Sequence, residues 1–511
     1  MLKLNFTLIW LTFCFSLFSQ DKPNIILIMC DDMGYSDIGC YGGEISTPHL
    51  DRLANEGMRF RQFYNNAKCT TTRSAITTGL YPTRSNPSLN LLDDSMVTVA
   101  DSMNKAGYAT ILSGKWHLGS NKGHRPIDRG FKEFYGLMDG CSNFFDPSQP
   151  DPKFKGGRVR VFGHNDQLIK NFPENFYTTD AFTDHAVEHM KKNIEAKKPY
   201  FLHITYTAPH YPLHAKPEDI QKYKGRYKDG WEVLRHERYK RMIELGVIRE
   251  SDKLSPLDPS VKDWSSRENK DWDEGLMEVY AAMIDSMDQN IGRVLKVLDE
   301  TNTAENTLIL FISDNGGCAE TPGGDNNFTH IPGPKEYYTA CGPGWANAQN
   351  TPFRKFKQYS HEGGIASPCV ARWPKVITPN SWTDSVAHIM DFHPTFMEMA
   401  GLDPKKDIPS DKQAIDGESI TSIFQGKNYT REKPLYFEWS GNRAVRDGDW
   451  KVAYLKQTKS WELFNIAEDR TELHDLSKKY PEKLNKMTAA WEKWAEQHGL
   501  NKINKKKKKK K

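Results

Sequence analysis

The chain has no Cys-x-x-Cys pair in its 511 residues. That absence removes zinc knuckles and thioredoxin-type redox motifs from consideration. It has no internal repeat, and beyond its first twenty residues no apolar stretch of transmembrane length. It also lacks a basic field. The formal charge is +4, but Lys505 to Lys511 are all lysine, and without them 63 basic residues face 66 acidic ones. A slightly acidic body does not suit nucleic acid, so no nucleic-acid partner is expected. The lysine-rich stretch 501–511 reads as a solvated, disordered tail.

What is present is an ordinary globular composition, 27% charged and 12% aromatic, at a length that fits one large domain and one smaller. The opening "MLKLNFTLIWLTFCFSLFSQ" has an early lysine, an apolar run and small polar residues. It reads as a signal peptide over 1–20, which predicts a periplasmic or secreted protein with no membrane span. Cys14 leaves with that leader. Cys30, Cys40, Cys69, Cys141, Cys318, Cys341 and Cys369 remain, and whether any of them pair is left open. Asn327 and Asn428 begin glycosylation sequons, relevant only to a eukaryotic secretory route.

Four apolar runs carry the organisation. "NIILIMC" (24–30) ends in Asp31 and Asp32, and "YATILSG" (108–114) in Lys115 and His117. "YFLHITYTA" (200–208) ends in Pro209 and His210, and "NTLILFIS" (306–313) in Asp314 and Asn315. Helical patterns lie between them, among them "TPHLDRLANEGMRF", "SMVTVADSMNKAG" and "LMEVYAAMIDSMDQNIGRVLKVLDE". The alternation predicts an α/β fold, a large, mostly parallel sheet sandwiched by helices. Such sheets gather ligands at the carboxyl ends of their strands, where these charged residues fall. Residues 216–275 read as a charged helical surface insertion, and 318–360 as a long irregular region. The main domain is expected over 22–425. From 426 to 500, short runs joined by turns such as "RDGD", and then a helix, predict a smaller antiparallel subdomain.

Asp31, Asp32, Asp314 and Asn315 offer three carboxylates and an amide, a donor set for a hard cation, calcium ahead of magnesium. Arg73, Lys115, His117 and His210 suit a tetrahedral oxyanion beside that metal, an arrangement for phosphoryl or sulfuryl transfer. Lys357, ahead of "EGG", is positioned to join them, while Arg354 and Lys355 read as surface residues. Within "NNAKCTTTRSAITTGLYPTR", Cys69 is discordant. A thiolate is a soft ligand for such a cation, and Cys-x3-Arg is too short for the loop of cysteine-dependent phosphatases. The chemistry asks for oxygen at position 69, and the gene encodes sulfur.

Taken in order, "PNIILIMCDDMGYSDIGCYGG", "CTTTRSAITTGLYPTR", "GKWHLG", "TAPH", "SDNGG" and Lys357-x4-"EGG" resemble the motifs of the type I sulfatases of the alkaline phosphatase superfamily. The segment "NRAVRDGDWKVAYL…WELFNIAEDRTELHDL" resembles their closing subdomain. The resemblance runs from about Lys22 to near residue 500. It implies an alkaline phosphatase-like fold and hydrolysis of sulfate monoesters. It further implies that a formylglycine-generating enzyme oxidises Cys69 to formylglycine, whose hydrate supplies the missing oxygen. Calcium would be held by Asp31, Asp32, Asp314, Asn315 and the modified Cys69. Arg73 and Lys115 would bind the sulfate and the hydrate, Lys357 the sulfate near the leaving group. His210 or Lys357 would protonate the departing alcohol, and His117 would help re-form the aldehyde. One position departs from the signature, which most often has Pro or Ala where this chain has Thr71. The expected substrate is a sulfated polysaccharide or oligosaccharide, an algal one for example. Two rivals stay open, a phosphomonoesterase or phosphodiesterase on the same scaffold and an inactive secreted glycan-binding protein.

Overall fold

The computed structural model describes residues 22–82, 92–322 and 331–500; the leader, the lysine tail and the Asn327 sequon lie outside them. Sixteen strands occur among the described residues. The first eight are β1 (Asn24–Cys30), β2 (Met58–Phe60), β3 (Phe63–Tyr64), β4 (Ala109–Gly114), β5 (Glu133–Leu137), β6 (Phe162–His164), β7 (Gln167–Leu168) and β8 (Tyr200–Thr205). There follow β9 (Thr307–Ser313), β10 (Cys369–Arg372), β11 (Ser381–Thr383), β12 (Ala387–His388), β13 (Leu435–Trp439), β14 (Asn442–Asp447), β15 (Trp450–Leu455) and β16 (Ser460–Asn465).

One ten-stranded sheet has the order β11-β2-β10-β9-β1-β8-β4-β5-β6-β7. Its centre, β9-β1-β8-β4-β5, is parallel, whereas β10, β6 and β7 run antiparallel to their neighbours. Burial on both faces explains the unbroken apolar runs. Ile25, Leu27 and Met29 enter one core, and Ile26, Ile28 and Cys30 enter the other. Over the second face lie the helices Pro48–Asn55, Thr178–Glu195 and the 31-residue Lys270–Glu300. The first face is covered by Cys69–Thr78, Val99–Lys105 and Phe392–Met399. The four-stranded antiparallel sheet β13-β14-β15-β16 and the helix Pro481–Gln497 share that same core through Phe437, Val445, Val452, Trp491 and Trp494.

Three local expectations are corrected. Met58–Phe60, read as the end of a helix, is β2, because its residues pair with β10 and β11. The region 318–360 contains the helix Gly342–Gln349. The 216–275 segment is partly helical and lies largely at the surface, as expected, but its charges are not all solvated. Its helix Gly230–Glu244 buries Arg238 completely, with Nη1 2.6 Å from Asp37 Oδ1 and Nε 2.7 Å from Glu44 Oε2. Arg238 reads as solvated in the sequence because its acidic partners lie some two hundred positions earlier. Arg354 and Lys355 are likewise tied down, to Glu462 at 3.3 Å and Asp258 at 2.7 Å. All seven cysteines among the described residues are unpaired.

Candidate active site

β9, β1, β8 and β4 are consecutive neighbours, so the four runs singled out in the sequence deliver their terminal residues to one edge. Asp31 and Asp32 follow β1, Lys115 and His117 follow β4, His210 follows β8, and Asp314 and Asn315 follow β9. Asp32 and His117 hold left-handed backbones, φ 68° and 59°. Neither is a glycine, and such backbone strain concentrates where a side chain must be aimed. The loops that carry these groups also meet backbone to backbone. A Cβ on Gly316 would come within 1.9 Å of the Gly363 carbonyl oxygen, so the close approach of "SDNGG" to "EGG" requires glycine there.

The helix Cys69–Thr78 starts at the same edge, with buried Cys69 at its first position. One turn later Arg73 projects back, its Nη2 2.9 Å from Asp314 Oδ2 and 3.8 Å from Asp31 Oδ1. Its Nη1 donates to the Lys115 carbonyl at 2.8 Å. The Thr71 hydroxyl faces the Asn66 and Lys68 carbonyl oxygens at 2.9 and 2.7 Å, and the Thr72 hydroxyl accepts from the Asn66 N–H at 2.9 Å. The departure at Thr71 thus places a hydrogen-bonded hydroxyl inside the turn before Cys69.

Lys115 ion-pairs with Asp31, and Lys357 Nζ lies 2.6 Å from Asp32 Oδ1. Asp32 Oδ1 also accepts from Asn315 Nδ2 at 2.7 Å, and His210 Nε2 stands 3.3 Å from Asp32 Oδ2. Two residues unremarked in the sequence complete the ring. Glu320 lies 3.3 Å from Lys68 and 3.9 Å from Lys357, and accepts from the Tyr211 hydroxyl at 2.7 Å. Proximity was the available signal, since Lys68 precedes Cys69 and Glu320 comes three residues after "SDNGG". The glutamate of "EGG" faces elsewhere. Glu362 is buried against Lys451 at 2.7 Å and Arg470 at 3.3 Å, fastening the Lys357 loop to the C-terminal sheet.

The electrostatics follow from burial among charges. Burial and then the Asp314 charge raise the Asp31 carboxyl to about 6, against Lys115, His210 and Arg73. Burial acts the same way on Asp32, but His210, Lys357, Lys68 and the Asn315 amide outweigh it and hold Asp32 far below the usual carboxylate range. Lys357 stays charged, since Asp32, Cys318, Cys69 and Glu320 together overcome its desolvation. Burial, with Lys115, Arg73, Lys68 and His210 around it, keeps His117 neutral. Burial takes His210 down to about 4 despite Asp32 and Asp31.

Asp31 Oδ1 and Asn315 Oδ1 are both buried without a hydrogen-bond partner among the described residues. Asp31, Asp32 and His210 each bring a ligand atom within 4.8 Å of the others. Orphaned oxygens in a carboxylate cluster fit a hard divalent cation. Lys68, Arg73, Lys115 and Lys357 balance Asp31, Asp32, Asp314 and Glu320, so a dication would leave a positive excess for an anionic substrate.

Comparison with known proteins decides between sulfuryl and phosphoryl transfer. The family model "Sulfatase" matches residues 23–402. The chain belongs to the sulfatase family. A second model, "N-sulphoglucosamine sulphohydrolase, C-terminal", matches residues 353–497. An arylsulfatase of Klebsiella aerogenes is 32% identical, with 81% of this chain and 95% of that protein aligned. Human N-acetylgalactosamine-6-sulfatase is 28% identical over 88% of this chain and 75% of its own. Among solved structures, Ps i-CgsB in complex with k-i-k-neocarrahexaose superposes with a TM-score of 0.69 at 28% identity, covering 93% of this chain and 92% of that one. This sulfatase is therefore a sulfuric ester hydrolase on an alkaline phosphatase-like scaffold, and no described helix of it is long and apolar enough to cross a membrane.

Proposed function

We propose that this sulfatase is exported and removes sulfate from a sulfated oligosaccharide or polysaccharide, with algal polysaccharides first in line. It would use a formylglycine made from Cys69 by a formylglycine-generating enzyme, and a calcium ion held by Asp31, Asp32, Asp314, Asn315 and the modified residue 69. Together these groups supply an oxygen nucleophile where the gene encodes sulfur and a fixed positive charge beside the sulfate oxygens. Residues 22–425 would form the catalytic domain and 426–500 the closing subdomain.

The chain's own side chains do the rest. Arg73 and Lys115, buried and fixed by Asp314 and Asp31, hold sulfate oxygens as charge shifts toward them. Lys357 binds the sulfate on the leaving-group side. The alcohol oxygen takes its proton from Lys357 Nζ, or from His210 Nε2 where the negative charge of a bound substrate raises that imidazole enough to protonate it; both groups stand beside Asp32. His117, neutral in its positive surroundings, accepts the proton that is released when sulfate departs. The observation carrying this reading is that all ten residues converge on one sheet edge in a chain of the sulfatase family.

A glycan substrate is supported by a path of rings leading outward from the site. His210 and Tyr211 stand 4.1 Å apart, Tyr211 and Tyr338 6.0 Å, and Tyr338 and the exposed Phe154 5.7 Å. Aromatic faces of this kind pack against the apolar faces of sugar rings. The relatives that act on N-acetylgalactosamine 6-sulfate or are seen with neocarrahexaose agree with that class. Two measurements test the proposal. Peptide mass spectrometry should find the Cys69 CH2SH replaced by CHO, and an unmodified thiol in fully active enzyme would exclude formylglycine. A panel of defined sulfated oligosaccharides should release sulfate; fast aryl sulfate turnover with none from the panel would exclude the glycan.

A further inference from the structure

A second cluster of ligating side chains lies outside this site and shares no residue with it. Glu133 begins β5, His164 ends β6, and His185 sits within the helix Thr178–Glu195. One ligand atom from each lies within 4.8 Å of the other two. The rings of His164 and His185 cross at 85°, with centroids 5.7 Å apart. Tyr135 stacks on His185 at 5.5 Å and stands opposite His164 across the β5–β6 pair.

His185 is the telling member. It is 7% exposed, and its Nδ1 is 2.7 Å from the Ser113 hydroxyl on β4. Its Nε2 is buried with no hydrogen-bond partner among the described residues. In the tautomer whose Nδ1–H donates to the Ser113 hydroxyl, one of the two this contact allows, Nε2 carries a lone pair available to a cation. A ligating imidazole typically has its other nitrogen held by a hydrogen bond, as Ser113 holds this one. On the second ligand, Asn165 Nδ2 donates to Glu133 Oε2 at 3.1 Å and orients the carboxylate. A buried imidazole nitrogen left unpaired costs stability, and this residue has a ligand atom within 4.8 Å of an imidazole nitrogen and a carboxylate oxygen.

We propose that Glu133, His164 and His185 form a second metal site, for a transition-metal dication such as zinc, which pins the β5–β6 pair to the helix Thr178–Glu195. Two imidazoles and one carboxylate are borderline donors that suit zinc or cobalt and disfavour calcium and magnesium. The three ligands come from elements separated in sequence and meet only in the folded chain. Binding there therefore stabilises the fold by mass action.

The test uses the full-length protein, stripped of metal and then saturated with excess calcium so that the carboxylate site is filled. Cobalt(II) added to it should bind one equivalent with visible absorption bands, zinc should displace it, and zinc should raise the melting temperature. His164→Ala, at an exposed position, and Glu133→Gln should each weaken zinc binding at least tenfold and abolish the thermal shift. Aryl sulfate turnover should stay unchanged in both. Absence of cobalt and zinc binding to the calcium-saturated protein would overturn the proposal, as would undiminished binding in the two variants.

Discussion

Lys357 Nζ lies 2.6 Å from Asp32 Oδ1, although the two residues are 325 positions apart and both are buried. This contact brings the loop before "EGG" against the loop after β1, and it sets the charge of both partners. Removing the ammonium leaves Asp32 with less compensation and the substrate without a cation on its leaving-group side. Lys357→Ala should lower kcat for an aryl sulfate by more than about 100-fold. Circular dichroism should show a folded protein. A variant that is folded and turns over at the parental rate would remove Lys357 from the reaction.

Arg238 reaches the same loop from the opposite side. Its partner Asp37 also accepts from the Gly34 N–H at 2.7 Å and the Tyr280 hydroxyl at 2.7 Å, so the guanidinium secures the chain just after Asp32. Arg238→Met would strand two buried carboxylates, Asp37 and Glu44. The expected cost is about 3–5 kcal/mol in denaturant unfolding, with loss of activity before the fold is lost. A cost below about 1 kcal/mol would show that the pair is dispensable.

The metal reading makes its own prediction. Asp31 Oδ1 and Asn315 Oδ1 are buried without hydrogen-bond partners among the described residues, and a cation is the simplest group that satisfies both. Chelation should therefore reduce aryl sulfate turnover at least tenfold, and calcium alone should restore it, magnesium less well. Restoration by calcium alone also separates this site from the His164 cluster, whose donors favour zinc. Full activity in protein shown by elemental analysis to hold no metal would sink the assignment.

The strands that position the site were legible in the sequence because both faces of the sheet are buried. A doubly buried strand is an unbroken apolar run, and a charged residue straight after it must lie at the sheet edge, as Asp31, Lys115, His210 and Asp314 do. Sheet order was not legible, since nothing local in "YFLHITYTA" says that β8 sits between β1 and β4. The role of Arg238 was hidden for a related reason. A charged helix reads as solvated until its partners, here Asp37 and Glu44, are known to lie against it. Lys68 and Glu320 escaped notice because single charged loop residues carry no periodicity. Cys69 was the reverse case, where the mismatch between a thiol and its oxygen-donor neighbours was itself the signal.

The joint between the two sheets can be tested by pH. Glu462 on β16 accepts from His361 Nε2 at 2.8 Å and ion-pairs with Arg354 at 3.3 Å, joining the C-terminal sheet to the loop around Lys357. Burial alone would raise this carboxyl. The hydrogen bond and charge of His361, with those of Arg354, outweigh it and hold Glu462 at about 2, below its ordinary value. A depressed carboxylate binds fewer protons folded than unfolded between those two values. Its contribution is therefore fully present above about pH 4.5 and fades as the pH falls toward 2. Glu462→Gln should cost about 1–2 kcal/mol at pH 7, with the gap to the parent narrowing below about pH 4.5. Chemical denaturation of both proteins at a series of pH values measures it. A difference that stays constant down to the acid limit would mean that the contact acts through shape rather than charge.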